Sequence, residues 1–284
     1  MDYHSDRFKD HSLIFMLNDI VVAVMPLNTV DNTLYSHQGL SFGGVISQNE
    51  MTTPLMINIF DALIKYMTVN AFTSLLYKAI PYIYYTNPAQ EDLYVLNTKG
   101  ATISRVDVSS TIDLENNIEF SSRRKRGIKT ALKNELKVTK SENYEGFYTL
   151  LLERLLLVHN TKPTHSLSEI KLLAERFPKN ISLYTTVNKN NSIYAAVLVF
   201  EMNHWAHAQY IISSEEGRKV GALDILFNEL INVIYNSKKF FDFGISTEER
   251  GKILNTGLIT QKEEFGARAI IHNFFELSIQ NQGI

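Results

Sequence analysis

The chain contains no cysteine. That removes a disulfide framework, a thiolate metal centre and a cysteine nucleophile from consideration, and it is compatible with a reducing compartment. Long apolar runs are missing as well. The best candidates, Ile20–Leu27 and Ile193–Phe200, are strand-sized, well short of the roughly 18 residues that a bilayer crossing needs. The opening MDYHSDRFKDHSLIF lacks the basic-then-apolar pattern of a secretory leader. Nor is there an excess of charge of either sign: the net charge is −2, so no global field favours nucleic acid or an anionic membrane. The eight histidines are scattered. His204 and His207 stand three apart on a strand pattern and face opposite sides, so no metal constellation is expected. A Walker loop, a GxGxxG fingerprint, an internal sequence repeat and low-complexity segments are all absent. A cytoplasmic protein with no membrane span is expected.

What remains is an ordinary globular composition. Of the 284 residues, 45% are hydrophobic and 20% charged, enough for one large domain or two of average size. Ser12–Leu17 and Ile20–Pro26, separated by Asn18-Asp19, read as a hairpin. Three glycines in the Gly39–Gly44 stretch follow Tyr35-Ser36-His37-Gln38. This marks either a wall of a ligand site, with His37 and Gln38 as hydrogen-bonding groups, or a glycine-bulged strand end. Thr53–Phe72 places Met56, Ile59, Phe60, Leu63, Ile64 and Met67 at helical spacing. Ser74–Tyr85 reads as an aromatic strand limited by Pro81, Pro88–Asp92 as the start of a short helix, and Ala101–Ile112 as a strand.

At Ser121-Ser122-Arg123-Arg124-Lys125-Arg126 the composition changes. A capped basic helix there is either a phosphate-binding face or a solvated face at a domain join. The boundary is drawn here, giving residues 1–120 and 121–284. Tyr144–His159 is helical. Ser166 and Glu169 form a capping box for a helix to Phe177. Ile181–Val187 and Ser192–Met202 make a hairpin, and Trp205–Ser213 is a further strand, with His207 and Gln209 on one face and Tyr210 on the other. Ser214–Ala222 is a basic, glycine-bearing turn ahead of the apolar helix Leu223–Tyr235, the composition of an anion site at a helix N-terminus. Its candidate ligands are Arg218, Lys219, Gly221 and Ala222.

The rest of the chain is organised around Phe240–Gly266. A core strand, Lys239–Ile245, carries the acid Asp242, and an unpaired carboxylate in apolar surroundings is costly. A polar turn and a helical stretch with Asn255, Lys262 and Glu263 follow, closing on Phe265-Gly266. The Asp-Phe-Gly triplet at 242–244 also occurs in protein kinases, but their HRD loop and glycine-rich nucleotide loop are missing, so that reading is rejected. Ala269–Leu277 is the last strand.

The order of elements after Arg123 resembles the GNAT acyltransferase fold. The whole chain resembles the Fem-type branch, built of two GNAT-like halves. The resemblance rests on Arg123–Lys133, Ala206–Tyr210, Gly217–Leu226, Asp242–Gly244 and Gly257–Gly266. Lys262-Glu263-Glu264-Phe265-Gly266 matches the K-x-x-F-G pattern of that branch. Two departures stand beside it. Leu223 occupies a position that is small in the GNAT loop pattern met at Arg218 and Gly221, and the paired helical insertion of tRNA-dependent members is not evident.

The resemblance implies an α+β chain of two GNAT-like domains, each a mostly antiparallel twisted sheet of a mixed kind flanked by helices. It implies N-acylation of a small amine, an amino sugar of surface-polysaccharide synthesis above all, with acyl-CoA (acetyl-CoA first) as co-substrate and no metal. The alternatives are a charged tRNA as donor, with a peptidoglycan precursor as acceptor, and a non-catalytic carbohydrate-binding protein. Nucleic acid is otherwise not an expected partner, and the oligomeric state is left open. Lys262 takes an electrostatic role by resemblance. Asp242, His207 and Glu263 are the candidate bases, burial being expected to raise the pKa of Asp242. His37, Gln38, Phe42, Tyr210, Asn255 and Glu263 are expected on the acceptor side.

Overall fold

The computed structural model describes residues 5–159 and 161–279. In chain order the elements begin with β1 (Leu13–Leu17), β2 (Ile20–Met25), β3 (Asn28–Val30), β4 (Thr33–Tyr35) and β5 (Ile46–Ser47). They continue with α1 (Thr53–Val69), β6 (Ser74–Lys78), α2 (Glu91–Thr98) and β7 (Thr102–Asp113). Next come α3 (Ser122–Lys133), β8 (Lys137–Ser141), α4 (Tyr144–His159), α5 (Leu167–Arg176), β9 (Ile181–Val187), β10 (Ile193–Glu201) and β11 (Trp205–Ser213). The chain closes with α6 (Glu215–Lys219), α7 (Ala222–Glu229), β12 (Phe240–Ile245), β13 (Thr247–Glu248), β14 (Ile253–Leu254), α8 (Thr256–Glu263) and β15 (Arg268–Ser278).

Local chemistry sets most of these boundaries. The β1–β2 hairpin turns on Asn18 and Asp19, both at positive φ, the conformation that a two-residue hairpin loop demands and that Asn and Asp tolerate. Thr52 caps α1 and Pro54 lies in its first turn, where a missing N–H is no loss. Ser121 caps α3 by accepting from the Arg124 amide. The Ser166–Glu169 capping box is complete. Two expectations shift. The strand predicted over Ser74–Tyr85 stops at Lys78 and gives way to a single 3-10 turn, Tyr82–Tyr84, because Pro81 has no N–H to offer a ladder. The turn predicted over Ser214–Ala222 contains α6, capped by Ser214, before Gly221 opens α7.

The described residues fall into two compact units. The first takes the described parts of Met1–Val108, Thr247–Ile253 and Ile271–Ile284; the second takes Ser109–Ser246 and Leu254–Ile270. In the first, strands pair in the order β3-β4-β6-β15-β7, with β1-β2-β5 as a separate small sheet. Its core gathers Met25, Leu27, Phe60, Leu63, Leu75 and Tyr77 between the sheet and α1. In the second, the order is β7-β12-β11-β10-β9-β8. One face carries the cluster of Phe227, Phe241, Phe243 and Phe265 with α7; Phe147, Leu183 and Leu198 gather in a separate cluster with α4 and α5. Among the described residues, β4 pairs with β6 and β11 with β12 in parallel, and the hairpin and remaining central pairings, such as β9–β10 and β10–β11, are antiparallel. This is a mixed α+β architecture, as the sequence implies.

Candidate functional site

Strands β11 and β12 pair over only three positions: Trp205 with Phe240, Ala206 with Phe241 and His207 with Asp242. Beyond them the two strands part. Tyr210 and Ala208 of β11 face consecutive residues of β10, Leu198 and Val199, so Gln209 is an extra residue, a β-bulge. Such a bulge bends its strand and breaks the ladder. A cavity of about 410 Å³ follows, lined by Ile211–Ser213 of β11, Phe243 of β12, the start of α7 and the α8 residues Leu258, Gln261 and Lys262.

Its charge is one-sided. Among the described residues, Arg123, Arg124, Arg154, Arg218 and Lys262 line it against a single acid, Asp224, in a chain whose net charge is −2. Arg124 is buried, bonds Asp224 at 2.9 Å and Glu264 at 2.7 Å, and lies over the Phe265 ring. Among the described residues, the guanidinium groups of Arg154 and Arg218 have no ion-pair or hydrogen-bond partner. The start of α7 adds to this field. Gly221 sits at φ +76°, no side chain caps the helix, and a Cβ at this position would meet the Gly127 carbonyl of α3 at 2.3 Å. Uncapped first-turn amides and the helix dipole both favour an anion.

Beside the point of divergence lies a buried carboxylate. Asp242 has no exposure. Its Oδ1 accepts from Ser109 Oγ at 2.7 Å and Thr111 Oγ1 at 2.6 Å; its Oδ2 accepts from His207 Nδ1 at 2.6 Å and the Gly244 amide at 3.1 Å. Burial alone pushes its pKa up, but the hydrogen bonds and the His207 charge outweigh that and hold it well below the usual carboxylate range. The expectation that burial raises it is therefore corrected. Asp242 remains ionised and orients the His207 ring through Nδ1.

Lys262 is 4% exposed, and its Nζ donates to the carbonyls of Gly244 and Ile245, both at 2.8 Å, and to Ser246 Oγ at 2.9 Å. Burial lowers its pKa to about 8, with Asp242 pulling the other way. It fixes the end of β12 and places a cation at the cavity wall.

The other anticipated residues divide. Gly221 and Ala222 line the cavity, whereas the Lys219 ammonium pairs with Glu215 on the exposed face of α6. Asn255 caps α8 and Glu263 is exposed. The Tyr210 hydroxyl bonds His165 Nδ1 at 2.8 Å and the ring packs near Phe147, away from the cavity lining. His37, Gln38 and Phe42 belong to the first unit. There Gln38 exchanges hydrogen bonds with Asn28, the His37 side chain is buried at φ +49°, and Phe42 stacks on Tyr84. Sequence reasoning missed Ser109, Thr111, Asp224, Glu264 and the cavity role of Arg154. Alternation on β7 marks 109 and 111 as sharing a face, but nothing in sequence says which strand they meet.

No protein-family profile matches the chain, and no characterised protein matches it by sequence. Solved structures do match. FemX superposes with a TM-score of 0.68 at 10% identity, covering 95% of this chain and 88% of FemX. L-PGS from Bacillus licheniformis gives 0.66 at 11%, covering 95% and 85%. A tandem GNAT protein from the clavulanic acid biosynthesis pathway gives 0.54 at 11%, covering 96% and 83%. These superpositions show the fold: the chain is built like the FemX and tandem GNAT structures, a FemAB-like GNAT fold in tandem halves.

Proposed function

We propose that the protein is an N-acyltransferase that takes its acyl donor in the cavity of the second unit and transfers the acyl group to an amine. The observation that carries this is the set of five bases around a cavity opened by two diverging strands. A phosphorylated donor fits such a lining: Arg218 and the start of α7 would hold a pyrophosphate, with Arg123 and Arg154 within the same wall. The donor is acyl-CoA, acetyl-CoA first; its thioester supplies an activated carbonyl. One of the similar structures is described as a tandem GNAT protein without AcCoA. The fold alone does not assign a donor, and the basic lining supports one that carries phosphates.

Amide formation requires the amine to lose a proton as the C–N bond forms and the C–S bond breaks. His207, oriented by Asp242, is the proton acceptor and passes the proton on to the leaving CoA thiolate, and Lys262 keeps the end of β12 in place while its charge stabilises the developing oxyanion. The acceptor is an amine, with an amino sugar as the first class to test.

A second donor has one observation in its favour. Arg123, Arg154 and Arg218 spread along the same wall, and a charged tRNA brings a phosphate chain. Its acceptor would then be a peptidoglycan precursor. Thiol release from acetyl-CoA, measured over a panel of amines, separates the readings. Saturable turnover abolished by His207→Ala and by Lys262→Ala supports the CoA reading. Turnover with aminoacyl-tRNA alone supports the second. Absence of both, with bound sugar, leaves a carbohydrate-binding protein.

A further inference from the structure

The parallel pair of the second unit has a counterpart in the first. Strands β4 and β6 also pair over only three positions: Thr33 with Ser74, Leu34 with Leu75 and Tyr35 with Leu76. As in the second unit, a helix (α1) joins the two strands, a further helix (α2) follows, and then a long strand (β7). A cavity of about 220 Å³ occupies the corresponding place, bounded by the segment after β4, the start of α1 and the segment leading into α2.

Its lining is the opposite of the basic cavity. Among the described residues, no Lys, Arg or His contributes. The walls are Val45 and Met56, the rings of Tyr84 and Tyr85, the Asn87 amide and the carboxylate of Glu91. Glu91 has no side-chain partner among the described residues. The back wall is rigid. Tyr77, fully buried, accepts from the Val45 amide at 2.9 Å and donates to Asp92 Oδ2 at 2.5 Å, while Asp92 Oδ1 takes the Leu93 amide. Gly44, at φ +125°, lies so close that a Cβ would meet the Tyr77 hydroxyl at 2.6 Å. The wall is therefore held in shape by a satisfied buried network, while the side chains of Ser47, Thr86 and Glu91 in the lining have no hydrogen-bond partner among the described residues and face a ligand.

We infer that the cavity of the first unit is a second binding site, which takes a small hydroxylated amine of about monosaccharide size and excludes phosphorylated ligands. Amides and hydroxyls match ligand hydroxyls, an aromatic ring offers an apolar face, and Glu91 receives the ammonium. A phosphate would meet two carboxylates and no base. The chain thus carries one anion-taking and one amine-taking cavity on the same local topology. The inference rests on the first unit's lining and does not depend on the donor assignment.

The test is calorimetric titration of the whole protein with glucosamine, glucose and glucose 6-phosphate, repeated on Glu91→Gln and Arg218→Ala. Thermal melts confirm that both variants are folded. The expected result is one saturable equivalent of glucosamine, at least about tenfold tighter than glucose, with any glucose 6-phosphate binding weakened by Arg218→Ala and unaffected by Glu91→Gln. Glu91→Gln weakens glucosamine about tenfold and leaves CoA affinity unchanged; Arg218→Ala does the reverse. Equal binding of glucose and glucosamine, no saturable glucosamine binding, or glucosamine binding lost in Arg218→Ala but kept in Glu91→Gln overturns the inference. Loss of CoA binding in the wild type, by contrast, bears on the proposed donor alone.

Discussion

All three Lys262 ammonium protons are committed to acceptors on the Gly244–Ser246 segment, which makes it a strut as well as a charge. Its lowered pKa, about 8 against 10.5, has two consequences. Activity that depends on the charged form falls as pH rises through about 8, and a kcat profile from pH 6 to 10 checks this. Stability moves the other way. Below about 8 the lysine is protonated in both states and its burial penalty is in full force. Between about 8 and 10.5 the folded state releases its proton first, so unfolding free energy rises with pH. Lys78 has the same lowered value, so the Lys262 contribution is the part of that slope missing from Lys262→Met. Asp242 behaves oppositely: its depressed pKa contributes stability above the ordinary carboxylate range that is lost as pH falls below it. Asp242→Asn leaves its donors mismatched and lowers stability by about 3–5 kcal/mol at pH 7, read by urea denaturation, with a flattened acid limb.

The α3–α7 contact shows how tightly the elements that frame the basic cavity are set. A Cβ at Gly127 would lie 2.0 Å from Asp224 Oδ2, and one at Gly221 2.3 Å from the Gly127 carbonyl. Gly221→Ala combines that overlap with an unfavourable φ, a strain of about 1–3 kcal/mol, and is expected to weaken CoA binding beyond its effect on the melting temperature by displacing the start of α7. Removing the α5 cap with Ser166→Ala lowers stability by about 1 kcal/mol and leaves donor binding unchanged, because α5 lies outside the cavity lining. Elements of this kind were legible in the sequence because their causes are local: Asn18-Asp19 for a hairpin, Ser166–Glu169 for a capping box, 3.6-residue spacing for α1. Pairing is non-local. Nothing near Ser109 or Thr111 announces that both hydroxyls meet Asp242, 133 and 131 residues away. Arg154 reads as one polar position on a helix until α4 is placed beside the cavity. Asp242 itself was legible as a residue needing a reason, though not the sign of its pKa shift, which depends on those distant donors.

Across the whole chain, a net charge of −2 conceals a local reversal. Basic residues concentrate on the cavity of the second unit and are missing from that of the first. A bulk charge count argues against anionic ligands, whereas their local concentration argues for one. The tandem organisation is likewise invisible as a sequence repeat, because what repeats is a three-position parallel pairing with its helices and not a residue pattern. If the basic cavity holds the donor phosphates, affinity falls steeply with ionic strength, since Arg123, Arg154 and Arg218 lie at least partly in solvent. The decisive measurement is calorimetric titration of the protein with acetyl-CoA and free CoA, at low and high salt, alongside Arg218→Ala. The account predicts one equivalent bound with micromolar affinity, about −8 kcal/mol, weakened by salt and by Arg218→Ala. No saturable binding of either ligand, or binding indifferent to both salt and Arg218, would contradict it.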